Sequence, residues 1–384
     1  MRHSPHRCSA GVPASLLLAV SAWFAPLAAA DAQPSAATVV PVQSLIDQLG
    51  LVEAAAPVRE RAGWSPPRKV LINPAEPSLL AAMQDAAPGV KFLAATTPAE
   101  AAALARDADA ALGWCTPEVI AAGTHLRWIQ SYAAGVERCV AIPELRSRDI
   151  LLTNMQRVAG PVMAEHVIAM TMAFARGLDF YIPERLAGRW TEEPPAPTRL
   201  LTIEGKTMLV IGLGGIGTEV AKRAHALGMK VTAVRASGRE GPDYVSYVGL
   251  PDELLKLAGV ADFIVNTAPL TSATTGLFDA KFFAACKPGA YFFNVGRGKS
   301  VVQPDLVAAL RSGRIAGAGL DVTEPEPLPP DDPLWQMRNV ILTPHVSATS
   351  DLGNAMRFAI VKENLRRYVA GEKMLSVVDV SKGY

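Results

Sequence analysis

The sequence predicts an α/β protein built on two parallel sheets, each covered by helices. Three observations carry that expectation. Short β-like runs alternate with Ala-rich helical stretches from Lys69 onward. A fully apolar run, Met208 to Ile211, enters a glycine-rich turn and leaves it as a helix. At 384 residues the chain exceeds one ordinary core and suits two. Strands that alternate with helices form parallel sheets, because each crossover lays a helix on a sheet face.

Taken in order, the first thirty residues stand apart. Arg2, His3, His6 and Arg7 make a basic start, an apolar run follows from Val12 to Leu27, and Ala28-Ala29-Ala30-Asp31 supplies small residues at a cleavage point. The apolar run is shorter than the roughly 20 residues that span a bilayer. Residues 1–30 are therefore expected to be a cleaved signal peptide, which makes the protein periplasmic or secreted. The alternative is a misassigned start codon and a cytoplasmic protein. No other segment reads as membrane-spanning. Residues 31–67 read as an extension leaning on the body, with an amphipathic stretch from Val42 to Leu51.

Strands of a first α/β series are expected at Lys69–Asn73, Val90–Ala95, Ala110–Trp114, Trp128–Tyr132 and Ile150–Thr153. Helices fall between them, as at Ser78–Ala87 and Pro98–Ala105. One long apolar helix is expected from Pro161 to about Tyr181, started by Gly160-Pro161. A Pro-rich connector, Trp190 to Pro197, leads to a second series. Its strands are Met208–Ile211, Val231–Val234, Phe263–Asn266, Ala290–Asn294, Gly317–Leu320 and Val340–Leu342. A last helix, about Asn354–Val369, follows that series and is expected to cross back to the first. The expected division is a discontinuous first domain, residues 68–158 with 351–384, around a second domain, residues 159–350.

Composition narrows the function. Half the residues are hydrophobic and the formal net charge is +1, which suits a globular enzyme and excludes a disordered tail. No basic face with interleaved aromatics points to nucleic acid. The cysteines Cys8, Cys115, Cys139 and Cys286 show no Cys-x-x-Cys spacing, so buried free thiols are expected, with neither a disulfide framework nor a metal site.

Gly212-Leu213-Gly214-Gly215-Ile216-Gly217 has a strand before it, a helix after it and a second strand at the spacing of a Rossmann unit. Gly212 allows the tight turn, and Gly214 lets backbone approach a pyrophosphate. Gly217 lets the helix pack against the strand. The amides of Gly215, Ile216 and Gly217 open the helix, where an anion binds. The acid usual at the end of the second strand is replaced by Arg235, with Ser237 and Arg239 following. A carboxylate there holds a ribose 2′-hydroxyl, whereas arginine favours a 2′-phosphate, so NADP(H) is expected ahead of NAD(H).

Three later strand ends carry polar groups: Asn294-Val295-Gly296-Arg297-Gly298, Asp321-Val322-Thr323-Glu324-Pro325-Glu326-Pro327 and Thr343-Pro344-His345. Ligands of such sheets bind outside the carboxyl ends of strands. An Arg, a Glu and a His converging there suit hydride transfer on a 2-keto acid. A lone histidine is more often structural, but the flanking residues set His345 apart.

From about Lys69 to its end the chain resembles the D-isomer-specific 2-hydroxyacid dehydrogenases, with the motifs in the family's order. The resemblance implies a Rossmann domain plus a flavodoxin-like, discontinuous catalytic domain. It makes Arg297 the group that holds the substrate carboxylate and His345 the proton donor. Glu326, rather than Glu324, becomes the partner that orients His345. It places Asp321 near the nicotinamide and Thr267, Ala268 and Pro269 beside the adenosine, with Val295 and Gly296 among the cofactor contacts. Ala134, Gly135 and Val136 match a loop whose amides bind the substrate carboxylate. Ser347 stands where the family usually has Gly, and Glu137 where it has Asp. A homodimer built on residues from Pro161 to about Arg199 is implied as well.

The expected function is interconversion of a small 2-keto acid, glyoxylate- or hydroxypyruvate-like, and its D-2-hydroxy acid. A non-catalytic dinucleotide sensor would not need the Arg297/Glu326/His345 set. Formate or phosphite oxidation is a further alternative, and formate chemistry would favour Gln at position 326.

Overall fold

The computed structural model describes residues 41–383 except 75, 76 and 197. The expected signal peptide and residues 31–40 of the extension lie outside the described residues.

The first sheet holds β1 (Lys69–Ile72), β2 (Lys91–Ala94), β3 (Ala110–Leu112), β4 (Trp128–Gln130) and β5 (Leu151–Thr153). All its pairings are parallel and the order is β2-β1-β3-β4-β5, the flavodoxin arrangement. The second sheet holds β6 (Thr207–Ile211), β7 (Lys230–Val234), β8 (Tyr247–Gly249), β9 (Phe263–Asn266), β10 (Ala290–Asn294), β11 (Ile315–Leu320) and β12 (Val340–Leu342). Its order, β12-β11-β10-β9-β6-β7-β8, is the doubly wound Rossmann order with one strand added at the edge. Strand order reverses between β6 and β9, so the loops leaving those strands open a crevice.

The helices in chain order begin with α1 (Val42–Leu49), α2 (Pro77–Ala86), α3 (Pro98–Ala105) and α4 (Pro117–Ala122). Next come α5 (Glu137–Val140), α6 (Pro143–Ser147), α7 (Gly160–Ala175) and α8 (Leu178–Leu186). The series ends with α9 (Gly215–Ala226), α10 (Leu254–Ala258), α11 (Ala280–Ala285), α12 (Gln303–Arg311) and α13 (Gly353–Ala370). Thr97 and Thr116 cap α3 and α4 with their hydroxyls, each followed by proline at the first helical position.

Each sheet buries an apolar layer on both faces. Phe263 and Phe293 pack on one face of the second sheet, with α7 and α9, and Phe282 and Phe292 fill the other. Gly317 and Gly319 in β11 admit Phe174 and Met170 of α7, since a Cβ at either would meet those side chains at 2.8 and 2.7 Å. In the first sheet Trp128 is fully buried, stacks on Tyr368 of α13 at 4.6 Å and donates to the Thr153 hydroxyl. That ring anchors the C-terminal helix to the first sheet, and its loss would cost about 3–5 kcal/mol. The extension packs there too: Leu45, Ile46 and Val58 are buried and Glu53 bridges to Leu375.

Three local expectations need correction. The single helix expected from Pro161 to Tyr181 is two, because Gly177 takes a left-handed φ of 68° between α7 and α8. Strand β8 was not anticipated; it is three residues long at a sheet edge, too short for a periodic signal. Cys115 and Cys139 are not free thiols but form a disulfide with Cα atoms 5.6 Å apart, within the usual span. Their separation of 24 residues fits no local motif, and only the fold brings the β3–α4 loop against α5. Cys286 is free and buried, and burial pushes its thiol up to about 12.

Candidate active site

The crevice starts at the loop after β6. Gly212 takes a left-handed φ of 94°, and a Cβ there would meet the Ala268 backbone at 2.7 Å. A Cβ on Gly217 would meet the Gly212 carbonyl at 2.1 Å, so α9 lies on the turn only because both are glycine. The Thr267 hydroxyl donates to the Gly212 carbonyl at 2.6 Å and holds the turn in place. Around Gly214 nothing lies within 4 Å of where a Cβ would stand. That open cradle sits at the start of α9, whose first-turn amides lack intrahelical acceptors, and it fits a dinucleotide pyrophosphate.

At the end of β7, the Arg235 amide bonds to the Gly249 carbonyl and its guanidinium donates to the Glu240 carbonyl at 2.9 Å. Arg239 is held differently, by the Glu253 carboxylate at 2.7 Å and the Tyr247 hydroxyl at 3.0 Å. Ser237 is exposed in the same turn.

Strands β10, β11 and β12 are neighbours, and their carboxyl ends deliver the polar set. A buried network fixes the loop after β10. Asn266 donates to Asn294 and Ser300, both at 2.9 Å, Asn294 donates to the Arg297 carbonyl, and so does Ser300. Val295 is buried, and a Cβ on Gly296 would meet the Asn266 side chain at 2.8 Å. Arg297 then reaches across to the first sheet. Its Nε donates to Glu137 Oε1 at 2.8 Å, its Nη2 to Oε2 at 3.4 Å and its Nη1 to the Gly296 carbonyl at 2.8 Å. A Cβ on Gly135 would lie 1.5 Å from Arg297 Nη2, so this glycine makes room for the guanidinium. Burial alone would raise the Glu137 carboxyl, but the hydrogen bond and charge of Arg297 outweigh it and hold it below the ordinary value. On the same loop Ala134 accepts from Asn154, and Val136 is buried at the start of α5.

His345 Nδ1 stands 2.9 Å from Glu326 Oε2, whose other oxygen accepts from the Thr323 amide at 3.2 Å. Glu324 instead faces Lys299 at 4.0 Å. The His345 backbone takes φ 56°, which an L residue adopts only under constraint. Asp321 supplies that constraint. Its carbonyl accepts the His345 amide at 2.8 Å, and its buried carboxylate accepts from the Val346 amide, the Ser347 amide and the Thr343 hydroxyl. His166 of α7 reaches the same hydroxyl at 3.0 Å. Because Thr343 has one proton and gives it to Asp321, His166 Nε2 must be the donor in that pair. Ser347 is buried, and its hydroxyl has no hydrogen-bond partner among the described residues. A cavity of about 560 Å³ opens beside His345, walled by Pro327, Leu328, Trp335 and Leu342.

The chain is similar to known proteins in sequence and in fold. The family model for "D-isomer specific 2-hydroxyacid dehydrogenase, NAD binding domain" matches residues 168–347. The glyoxylate reductase of Korarchaeum cryptofilum (strain OPF8) is 35% identical over 279 residues, which is 70% of this chain and 81% of that one. The chain belongs to the D-isomer-specific 2-hydroxyacid dehydrogenase family. It is accordingly an NAD(P)-dependent dehydrogenase. Two solved structures have the same fold. The D-isomer specific 2-hydroxyacid dehydrogenase of Xanthobacter autotrophicus Py2, in complex with NADPH and MES, is 30% identical with a TM-score of 0.72, covering 83% of this chain and all of that one. The NADPH-dependent glyoxylate/hydroxypyruvate reductase of Sinorhizobium meliloti, in complex with NADP and sulfate, is 30% identical with a TM-score of 0.68, covering 82% and 99%.

Within this dehydrogenase the structure brings together His345 with Glu326, and Arg297 with the Gly135 loop. It turns Asp321 toward the His345 loop and engages Arg239 with Glu253. Four positioning groups were not anticipated: Asn266, Asn294, Ser300 and His166. Their sequence signal was faint: Asn266 and Asn294 end apolar strands, Ser300 lies in the loop after β10, and His166 sits on a mostly apolar helix. Among the described residues no cluster of His, Cys, Asp and Glu is arranged to hold a metal, and no helix is long and apolar enough to cross a membrane.

Proposed function

We propose that the chain is an NADP(H)-linked reductase of a small 2-keto acid, of the glyoxylate or hydroxypyruvate type, and makes the D-2-hydroxy acid. The observation that carries the reading is the His345–Glu326 contact of 2.9 Å on strand ends adjoining that of Arg297. A sensor that only binds a dinucleotide has no use for an oriented acid–base pair.

A bound nicotinamide dinucleotide supplies the hydride. Gly212, Gly214 and Gly217 shape the loop for its pyrophosphate, and the amides of Gly215 and Ile216 face the anion. Thr267, Ala268 and Pro269 form the crevice wall on the adenosine side, with Val295 and Gly296 at its floor. Arg297 holds the substrate carboxylate with a planar fork, and Ala134, Gly135 and Val136 bring backbone amides to the same anion. His345 uses Nδ1 to hold Glu326, which leaves Nε2 to give its proton to the substrate carbonyl oxygen. In the reverse direction the same nitrogen takes the hydroxyl proton.

NADP(H) is favoured by Arg235 at the end of β7, and the NADPH and NADP complexes of the two solved relatives support it. A homodimer is supported by the apolar residues Leu178, Ile182, Leu186 and Trp190, exposed along α8 and the arm that follows. The Cys115–Cys139 disulfide supports an exported protein, since such bonds persist in oxidising compartments. The test is a panel of glyoxylate, hydroxypyruvate, pyruvate and phenylpyruvate, each assayed with NADPH and NADH. Turnover of a short 2-keto acid with NADPH is expected; absence of turnover on the whole panel overturns the reading.

A further inference from the structure

The group proposed to bind the substrate carboxylate is already held by another carboxylate. A guanidinium has five N–H bonds. In Arg297 one goes to Glu137 Oε1, one to Oε2 and one to the Gly296 carbonyl. One N–H is left on each terminal nitrogen. Glu137 thus decides which edge of Arg297 meets a substrate.

Glu137 does not sit on a robust element. It is the first residue of α5, a helix of four residues with no side-chain cap. A single turn is not stable alone, because nucleation costs more than one turn returns. Cys139, buried within that turn and bonded to Cys115, is the covalent anchor of α5 beside the buried Val136 and Ile142 that flank it. Cys115 itself lies on firm ground, between buried Trp114 and Thr116, whose hydroxyl accepts the Val119 amide at the start of α4. The disulfide therefore ties the short helix bearing Glu137 to the end of β3, across the span that contains the Ala134–Val136 loop.

We propose that the Cys115–Cys139 disulfide is a positioning element of substrate binding, holding Glu137 on Arg297 so that the guanidinium offers one fixed edge to the 2-keto acid carboxylate. The proposal rests on the reading of Arg297 as the carboxylate-binding group. Opening the bond takes two electrons and two protons: one S–S bond breaks, two S–H bonds form, and dithiothreitol as reductant becomes its cyclic disulfide. Cys115, Cys139 and Glu137 touch no reacting atom; they act through Arg297.

The experiment compares oxidised wild-type enzyme, the same enzyme reduced with dithiothreitol, and Cys115→Ser/Cys139→Ser. Reduction should raise the KM for glyoxylate on the order of tenfold, the worth of about one well-aligned charge-assisted contact. NADPH affinity should not move and kcat should stay within about twofold. Re-oxidation with oxidised glutathione should restore the KM, which separates positioning from damage. Glu137→Ala should raise KM similarly, and adding it to the double serine variant should add nothing, because the two changes break one unit. Unchanged KM after verified reduction, or fully additive effects, overturns the proposal. Hydrogen exchange at residues 133–140 is read on the same samples and needs no turnover. If the oxidised wild type reduces no 2-keto acid, the functional reading fails, while equal exchange in oxidised and reduced protein sinks the staple.

Discussion

Cofactor choice is the point at which single residues make the sharpest quantitative claim. Strand β7 ends at Val234 and Arg235 follows it, the residue that the proposed NADP(H) reading sets beside the adenosine ribose. Its guanidinium spends one nitrogen on a neutral carbonyl, that of Glu240, and keeps its remaining donors. Arg239, two residues past Ser237, is engaged by the Glu253 carboxylate and by Tyr247. The Glu253 carboxyl is held down at about 2, chiefly by the Tyr247 hydroxyl and the Leu250 amide, with Arg239 adding to both. Releasing Arg239 would break that set, so Arg235 carries the preference. A charge-assisted hydrogen bond is worth about 1.5–3 kcal/mol, and 1.4 kcal/mol is about tenfold. NADPH should therefore be preferred by roughly 10- to 100-fold in kcat/KM. Arg235→Asp should reverse the order, since the carboxylate repels a 2′-phosphate and accepts from a 2′-hydroxyl. Arg239→Ala should change the ratio by less than about threefold, as for a side chain already paired elsewhere. The assay is kcat/KM for both cofactors with one keto acid. Equal or better use of NADH by the wild type refutes the reading of this turn, and a larger effect at Arg239 than at Arg235 refutes the assignment within it.

Other outcomes follow from the same contacts. His345→Asn should lower turnover by roughly 10²–10⁴-fold with unchanged NADPH affinity, the usual worth of a general acid–base group, and stopped-flow rates with a cofactor titration check both. Glu326→Gln should lower turnover with NADPH affinity unchanged, because His345 Nδ1 loses the carboxylate that orients the imidazole; wild-type turnover in the variant contradicts this. Light scattering at micromolar concentration should give a dimer, and a monomer would leave the apolar face of α8 unexplained. Burial pushes the Asp179 carboxyl from its ordinary 3.8 up to about 6, and its Oδ1 is buried without a partner among the described residues. The native state thus holds this proton more tightly than the unfolded chain, so stability falls as pH rises from about 4 through 6. Asp179→Asn should raise stability at pH 7.5 by roughly 1–2 kcal/mol, the shift being discounted because the carboxyl is partly exposed, and the gain should fade as pH falls toward 3.8, read from denaturant melts across that range.

Features set by local backbone physics were legible in the sequence. The Gly212–Gly217 turn is one, because a left-handed φ and a close helix–strand approach leave glycine no substitute. The alternation of strands and helices is another, since buried parallel strands need unbroken apolar runs. Contacts between distant residues were not legible. Glu137 and Arg297 lie 160 residues apart, and nothing in either neighbourhood announces the pair. Cys115 and Cys139 showed no motif because their bond joins two elements of the fold rather than a designed spacing. The break between α7 and α8 had a signal, Gly177 between Arg176 and Asp179, but the apolar residues on either side of it mask the stop. The polar shell of Asn266, Asn294 and Ser300 could be seen only once β9 and β10 were neighbours.

Asp321 shows how one acid can be assigned two tasks that a measurement separates. Its place after β11 suggests a role beside the nicotinamide, yet its carboxylate is buried and accepts two amides and a hydroxyl from the loop that carries His345. That loop needs holding: the left-handed His345 backbone costs on the order of 1–3 kcal/mol, which persists only where surrounding contacts over-determine it. Asp321→Asn removes the charge and sets an NH₂ donor against the Val346 or Ser347 amide, leaving a buried donor unpaired at about 1–3 kcal/mol. The added cost is comparable to the strain being held, so the loop should relax and carry the imidazole off Glu326. Turnover should then fall about 10- to 100-fold, as for a misplaced reacting group, while the affinity for NADPH stays at its wild-type value. A variant with normal turnover and weakened cofactor binding would return Asp321 to the nicotinamide and remove it from the support of His345.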